Sequence, residues 1–204
     1  MNSEKLSPQE IFWSQKIGQA YMEHNKFEPI ERKKHRSEFY QLFENYDKNS
    51  KILEVGCNLG TNIKILENMN FNNLYGIDIF EGAINTAKTN VPNANFKVGT
   101  ALNLPYKDNE FDIVFTSGVL IHQDPDTILP KVLSEIYRVS NKTIIGLEDY
   151  RVMFKSRMYR GEEKRYWSGP YHKAFQHYHK DLKPITKSQV EHHGLPRIQY
   201  VFEK

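Results

Sequence analysis

The apolar positions of this 204-residue chain fall into short blocks, and the spacing inside each block names the element it forms. Ile52, Leu53 and Val55 make a short, largely β-branched run, the pattern of a strand covered on both faces in a parallel sheet. Ile63, Ile65 and Leu66 supply the apolar side of a helix, and Leu74, Tyr75 and Ile77 a second strand that stops at Asp78. Residues 81–90 read as a helix, 95–98 as a third strand, and Phe111, Ile113, Val114 and Phe115 as a fourth. A helix over 128–139 and a fifth strand over 143–147 follow. Strands alternating with helices predict an α/β domain with a Rossmann-like, doubly wound sheet. Two extended runs, 185–191 and 197–202, with a glycine- and proline-containing turn between them, predict a terminal hairpin.

The flanks follow other patterns. Residues 1–10 are polar and expected to fray, although Ser7-Pro8-Gln9-Glu10 has the form of a helix start with proline just inside it. Ile11, Phe12, Trp13, Ile17, Ala20, Tyr21 and Met22 recur at helical spacing, either as an amphipathic helix packed on the domain or as a lid over its ligand. Segment 28–46 reads as one helix whose charged run, residues 31–36, forms a solvated face; alternatively Arg32 or Lys33 reaches an acid. Residues 151–182 are the least regular stretch, aromatic and basic with glycine and proline among them, and read as a substrate lid. The expected organisation is one domain: a helical cap over 1–46, a core over 47–150, the lid over 151–182 and the hairpin over 183–204.

Composition narrows the function classes. The chain has 28 Lys and Arg against 25 Asp and Glu, a formal net charge of +3, too mild to call for nucleic acid. Its one cysteine, Cys57, excludes an internal disulfide framework, and no apolar stretch reads as a membrane span or signal. The expectation is a cytoplasmic protein acting on a small molecule, with neither nucleic acid nor membrane as partner; oligomeric state is not legible in the sequence.

Candidate chemistry gathers after the first strand. Gly56 permits a sharp turn and Gly60 brings the next helix close to a ligand, while a carboxylate ending the second strand can accept both hydroxyls of a ribose lying across that turn. Asp78 is therefore the expected nucleoside ligand, with helix capping as its alternative role. The dinucleotide pattern wants a glycine where Asn58 stands. Glu54-Val55-Gly56-Cys57-Asn58-Leu59-Gly60 instead resembles motif I of the class I S-adenosylmethionine-dependent methyltransferases, whose cofactor has no pyrophosphate to cradle. Residues 111–122 resemble motif IV of the same enzymes. Thr100 departs from their pattern, which often has an acid there for the adenine amino group, so backbone groups of Ala101 and Leu102 are expected to carry more of that recognition.

Phe12-Trp13, Gly18, Tyr21, the motif I turn, Phe115 with residues 118–122, and Glu148 with Tyr150 together resemble the small methylases encoded with pseudaminic acid biosynthesis genes. The resemblance spans most of the chain. It implies the seven-stranded class I methyltransferase fold, an insertion after strand five and S-adenosylmethionine (SAM) as cofactor, and it says little about the substrate. On this reading Glu54, Gly56, Asn58 and Gly60 hold the methionine part, Asp78 and Ile79 the ribose, and Thr100, Ala101 and Leu102 the adenine. Ser117, Gly118 and Val119 form the floor below the sulfonium, with Trp13 beside it. The acceptor, an amine or hydroxyl of a small polar metabolite, is placed among Glu148, Tyr150, Tyr159 and Arg160, and His122, Tyr21 and Tyr150 are the candidate catalytic groups. His122 is either a general base or an oriented residue capping the next turn. Glu148 and Asp149 hold a substrate amine or form a structural ion pair. His172, His177 and His179 lack a tetrahedral partner set, so no metal is expected. Two other functions stay open: cyclisation of SAM to a cyclic amino acid with release of methylthioadenosine, and a non-catalytic SAM-binding partner protein.

Overall fold

The computed structural model describes residues 6–192 and 194–204, with the backbone alone at Lys16 and His192. Of residues 1–10, where fraying is expected, 1–5 lie outside the described residues, and the expected helix start at Ser7-Pro8 is present, with helix over Pro8–Ile11. The strands are β1 (Ile52–Val55), β2 (Leu74–Asp78), β3 (Asn95–Val98), β4 (Phe111–Ser117), β5 (Ser140–Asp149), β6 (Lys155–Tyr159), β7 (Glu162–Ser168), β8 (Lys183–His192) and β9 (Leu195–Glu203). Seven of them form one sheet in the order β3-β2-β1-β4-β5-β9-β8. The first five are parallel to one another, and β9 runs antiparallel between β5 and β8. This is the doubly wound sheet and terminal hairpin that the apolar pattern predicts.

Alternation along the strands divides the core between the two faces. Leu53, Val55 and Val114 pack on one side with the apolar stripe of a helix over Leu129–Val139, while Ile52, Ile113 and Phe115 pack on the other with Ile63 and Leu66 of a helix over Thr61–Asn68. Every residue of β1 is buried, which is why that strand reads as an unbroken apolar run around Glu54.

Three expectations about the flanks are corrected. The segment over 28–46 is two short helices, Pro29–His35 and Ser37–Gln41, broken at Arg36 where φ is −130° and ψ is 32°. The stripe over 11–22 is helical but not a single α-helix: Pro8–Ile11 runs into a π-helical turn at Phe12–Ile17 and then into Gly18–His24. Such wide turns cluster at functional sites. The stretch over 151–182 is regular after all, a two-stranded ribbon of β6 and β7 followed by a helix at Tyr171–Tyr178. Its ribbon went unread because Glu162, Glu163, Lys164 and Arg165 break any apolar alternation.

The cap is seated on the core through Gly18, where a Cβ would come within 2.7 Å of the Phe80 ring just after β2. That close approach brings the π-helical turn over the carboxyl ends of the strands. Among the described residues no helix is long and apolar enough to cross a membrane.

Candidate active site

A cleft opens at the carboxyl ends of β1, β2 and β4, where open α/β sheets hold ligands, and the cap roofs it. The turn after β1 is built on positive φ: 75° at Gly56, 46° at Asn58 and 74° at Gly60. Gly56 and Cys57 both donate to the Ile77 carbonyl, at 2.8 and 3.1 Å, which ties this turn to the end of β2. Asp78 then closes the arrangement. Its Oδ2 accepts the Asn58 N–H at 2.9 Å and its Oδ1 accepts the Phe80 N–H at 3.0 Å. Each oxygen keeps a further lone pair for a ligand hydroxyl. Burial raises the Asp78 pKa, and these N–H groups oppose the shift. Asp78 thus braces the turn and lines the cleft at once, but it is not a helix cap: the helix over Glu81–Asn90 has Phe80 at its N-cap and no side-chain cap bond.

Ile79, Ala101 and Leu102 line the cleft beside Asp78, and Ser117, Gly118 and Val119 line it below. Thr100 also lines it, but its hydroxyl accepts the Leu102 N–H at 3.1 Å and so shapes its own loop. Gly60 does not reach the cleft; it starts the following helix against the Phe96 ring.

Beyond Asp78 the wall turns ionic. Glu54 lines the cleft and is buried; Oε1 accepts from the Asn62 amide, whose own oxygen accepts from Tyr40 Oη at 2.6 Å, and Oε2 has no hydrogen-bond partner among the described residues. Arg32 lines the same region, and Arg36, one helical turn on, donates to Ser117 Oγ at 2.7 Å. Neither arginine has an ion-pair partner among the described residues, and burial, with repulsion from Arg32, pulls the Arg36 guanidinium down to about 10. Two cations side by side without an anion are costly to bury. Sequence reasoning placed Arg36 on a solvated face and missed Asn62; the i, i+4 spacing of Arg32 and Arg36 was the available signal.

The roof is aromatic. Trp13 lies with its ring centroid 5.0 Å from Tyr21 and 4.4 Å from His122, all three lining the cleft. His122 Nδ1 is 2.9 Å from the Arg165 carbonyl, and burial pushes the imidazole down to about 4, so the ring is neutral at physiological pH. Burial likewise raises the Tyr21 phenol, with Tyr159 adding to it. Tyr159 stands behind this layer, 5.1 Å from His122, and does not line the cleft. Arg160 is exposed at the β6–β7 turn, with its guanidinium 5.7 Å from the Tyr21 ring, at the mouth and not inside.

Two expected substrate residues are displaced from the cleft. Tyr150 donates its N–H to the Pro196 carbonyl at 2.9 Å and its ring lies 6.0 Å from His172, on the hairpin side. Glu148 is fully buried beneath the turn after β4, accepting the Val119 N–H at 3.3 Å and the Ile121 N–H at 3.4 Å. It shapes the floor. Neighbouring Asp149 pairs with Arg197 Nε at 2.9 Å and accepts from the Tyr166 hydroxyl, the structural ion pair of the two roles considered for it. No metal-binding cluster occurs among the described residues.

The buried acids make stability depend on pH. Burial pushes the Glu54 carboxyl up to about 8 and the Glu148 carboxyl up to about 7. A folded pKa raised above the ordinary value near 4.5 favours the fold fully below that value, and the advantage is lost as pH climbs through the folded pKa. Buried His122 and His172, both pushed down to about 4, gain stability as pH rises toward the free imidazole value near 6.5 and offset the carboxyls there, so the melting temperature is expected to fall chiefly between about pH 6.5 and about pH 8, with Glu148→Gln flattening part of the fall. A level or rising profile in a pH series of melts would count against it.

The model of a "Methyltransferase domain" family matches residues 53–143, the strands and turns that build the floor of the cleft. An uncharacterized methyltransferase of Synechocystis is 34% identical over 89 residues, covering 44% of this chain and 41% of that protein. The chain thus spans about two fifths of that curated relative's length. Among solved structures, the PH0226 protein of Pyrococcus horikoshii superimposes with a TM-score of 0.67 at 19% identity, covering 95% of each chain. Magnesium protoporphyrin IX methyltransferase of Synechocystis, solved with S-adenosylhomocysteine bound, gives 0.69 at 14% identity over 96% of this chain and 98% of that one. At these identities the likeness is one of fold, the Rossmann-like class I methyltransferase fold.

Proposed function

We propose that this chain is a SAM-dependent methyltransferase acting on an amine or hydroxyl of a small polar acceptor. The observation that carries it is a cleft whose two ends match the two ends of that one molecule. Asp78, held over the glycine turn, suits the ribose, and the ion-pair-free Arg32 with the half-satisfied Glu54 suits a carboxylate and an ammonium. The match to a methyltransferase domain over the same floor supports it independently.

SAM supplies a methyl group already activated on a sulfonium. The work left to this chain is to hold an acceptor in line at about 3–3.5 Å and to exclude water. Val119 and Gly118 form the floor, Trp13 and Tyr21 close the roof, and neutral His122 lies beside the acceptor end as a weak base better suited to orienting a group than to taking its proton early. Arg160 at the mouth guides entry. A sugar- or amino-acid-like molecule is one such acceptor, and the resemblance to pseudaminic acid-associated methylases bears on that choice only weakly.

One observation supports a second reading. Glu54, raised to about 8, would lie beside the ligand's ammonium with a comparable proton affinity. Its ionised form, the minority near neutral pH until an ammonium lies against it, could accept that proton while the freed amine displaces the thioether within the same molecule, giving a cyclic amino acid and methylthioadenosine. Mass spectrometry of protein incubated with SAM, alone and with an extract of small metabolites, separates the two. S-adenosylhomocysteine formed only with extract supports methyl transfer. Methylthioadenosine from SAM alone overturns it, and no product in either arm points to a binding protein.

Arg32→Ala is expected to weaken S-adenosylhomocysteine binding by about 10-fold, the scale of one hydrogen bond to a charged group, while methylthioadenosine, which lacks the carboxylate, binds as before. Equal losses for both ligands in calorimetry would remove Arg32 from the amino-acid end.

A further inference from the structure

Gln9, on the first turn of the cap, is buried, although the helix-start pattern that contains it gives it no role and no apolar stripe includes it. Its amide joins three elements. Nε2 donates to the His122 carbonyl in the short helical turn after β4 and to the Arg165 carbonyl in β7 at 3.4 Å, and Oε1 accepts from Arg165 Nη1 at 2.9 Å. Arg165 is steadied further by Glu162, 2.9 Å from its Nε, and by the Phe12 ring 5.2 Å below its guanidinium.

The same Arg165 carbonyl faces His122 Nδ1 at 2.9 Å. A carbonyl only accepts, so Nδ1 must carry the proton, and Nε2 keeps its lone pair. His122 lines the cleft, and with Nδ1 engaged outside it, Nε2 is the ring nitrogen available within.

We infer that Gln9 and the Arg165 carbonyl are positioning groups of the acceptor site: they lock His122 in the Nδ1–H tautomer, so that Nε2 receives a hydrogen bond and the site takes an acceptor that donates one. This rests on the methyltransferase reading for the word acceptor, but not for the tautomer. A hydroxyl or an N–H amine fits such a site. A carboxylate or a tertiary amine would set lone pair against lone pair. Charged groups on the elements around the ring include Glu10 of the cap and, on the β6–β7 ribbon, Lys155, Arg157, Arg160, Glu162, Glu163, Lys164 and Arg165, with the phenols of Tyr21, Tyr159 and Tyr166. None acts on its titration, which burial lowers and the Arg165 carbonyl raises.

The test is nitrogen-15 NMR of histidine-labelled full-length protein, with His122→Asn assigning the signal. Wild type is expected to show a proton on Nδ1 and a bare Nε2, with no protonation down to about pH 5. Gln9→Ala should yield mixed tautomers and a titration raised by about one unit or more. Gln9→Glu keeps the acceptor for Arg165 but loses both donated bonds, and it should give the same mixture if the alanine variant folds poorly. A wild-type Nε2–H tautomer, or an unchanged His122 signal in either variant, overturns the inference. Failure of wild type and variants alike to bind S-adenosylhomocysteine overturns the acceptor role while leaving the tautomer as measured.

Discussion

Asp78→Ala is expected to cost about 100-fold or more in affinity for S-adenosylhomocysteine, measured by calorimetry. Hydrogen bonds to a charged group contribute about 1.5–3 kcal/mol each, and a ribose offers two hydroxyls to this carboxylate. The substitution also leaves the Asn58 and Phe80 N–H groups without their acceptor, so the turn that faces the ligand loosens together with the ligand contact. Asp78→Asn separates the contributions. It keeps one acceptor oxygen and the volume but lacks the charge, and its affinity should fall between the other two. Unchanged binding in the alanine variant would remove the ribose assignment, and with it the adenosine end of the proposed function.

Gly56→Ala should be more damaging to the fold. The residue has φ of 75°, where a side chain costs about 1–3 kcal/mol, and its Cβ would come within 2.4 Å of Val119 Cγ2. With the steric clash the loss should reach about 2–4 kcal/mol, a fall in melting temperature of roughly 5–15 °C for a chain of this size. Adding Val119→Ala relieves the clash but not the backbone strain, so the double variant should recover part of the stability. If it recovers all of it, φ at Gly56 carries no cost; if none, the contact with Val119 is not what the glycine serves.

The parts of the site that could be read from sequence are those whose reason is local. Asp78 follows a buried run and a glycine turn at fixed spacing, and each of those features is visible within thirty residues. Arg36 was not readable as a half-buried, inward-turned cation, because a run of charge gives no sign of which member turns inward; that is decided by Ser117, 81 residues away. Glu148 looked like a ligand for substrate because acids at strand ends often are. Its actual partners are N–H groups of the preceding turn, a contact set by the register of β4 on β5. Gln9 had no signal at all, since its three partners come from two distant segments. The β6–β7 ribbon was hidden by its charges, which an exposed two-stranded sheet tolerates on its open face.

The sheet order has a consequence for how the chain reaches this state. β8 touches the sheet only through β9, which follows it in sequence. While the polypeptide is being made, β8 therefore leaves the ribosome with nothing to pair with, and the edge of β5 bearing Ile145 and Leu147 stays bare until β9 arrives to join them. The parallel part of the sheet from β1 to β4 is complete well before that. Nascent chains halted between β8 and β9 should thus be the sticky species, the ones a chaperone meets, and the β8–β9 hairpin acts as a late zip that seals the sheet.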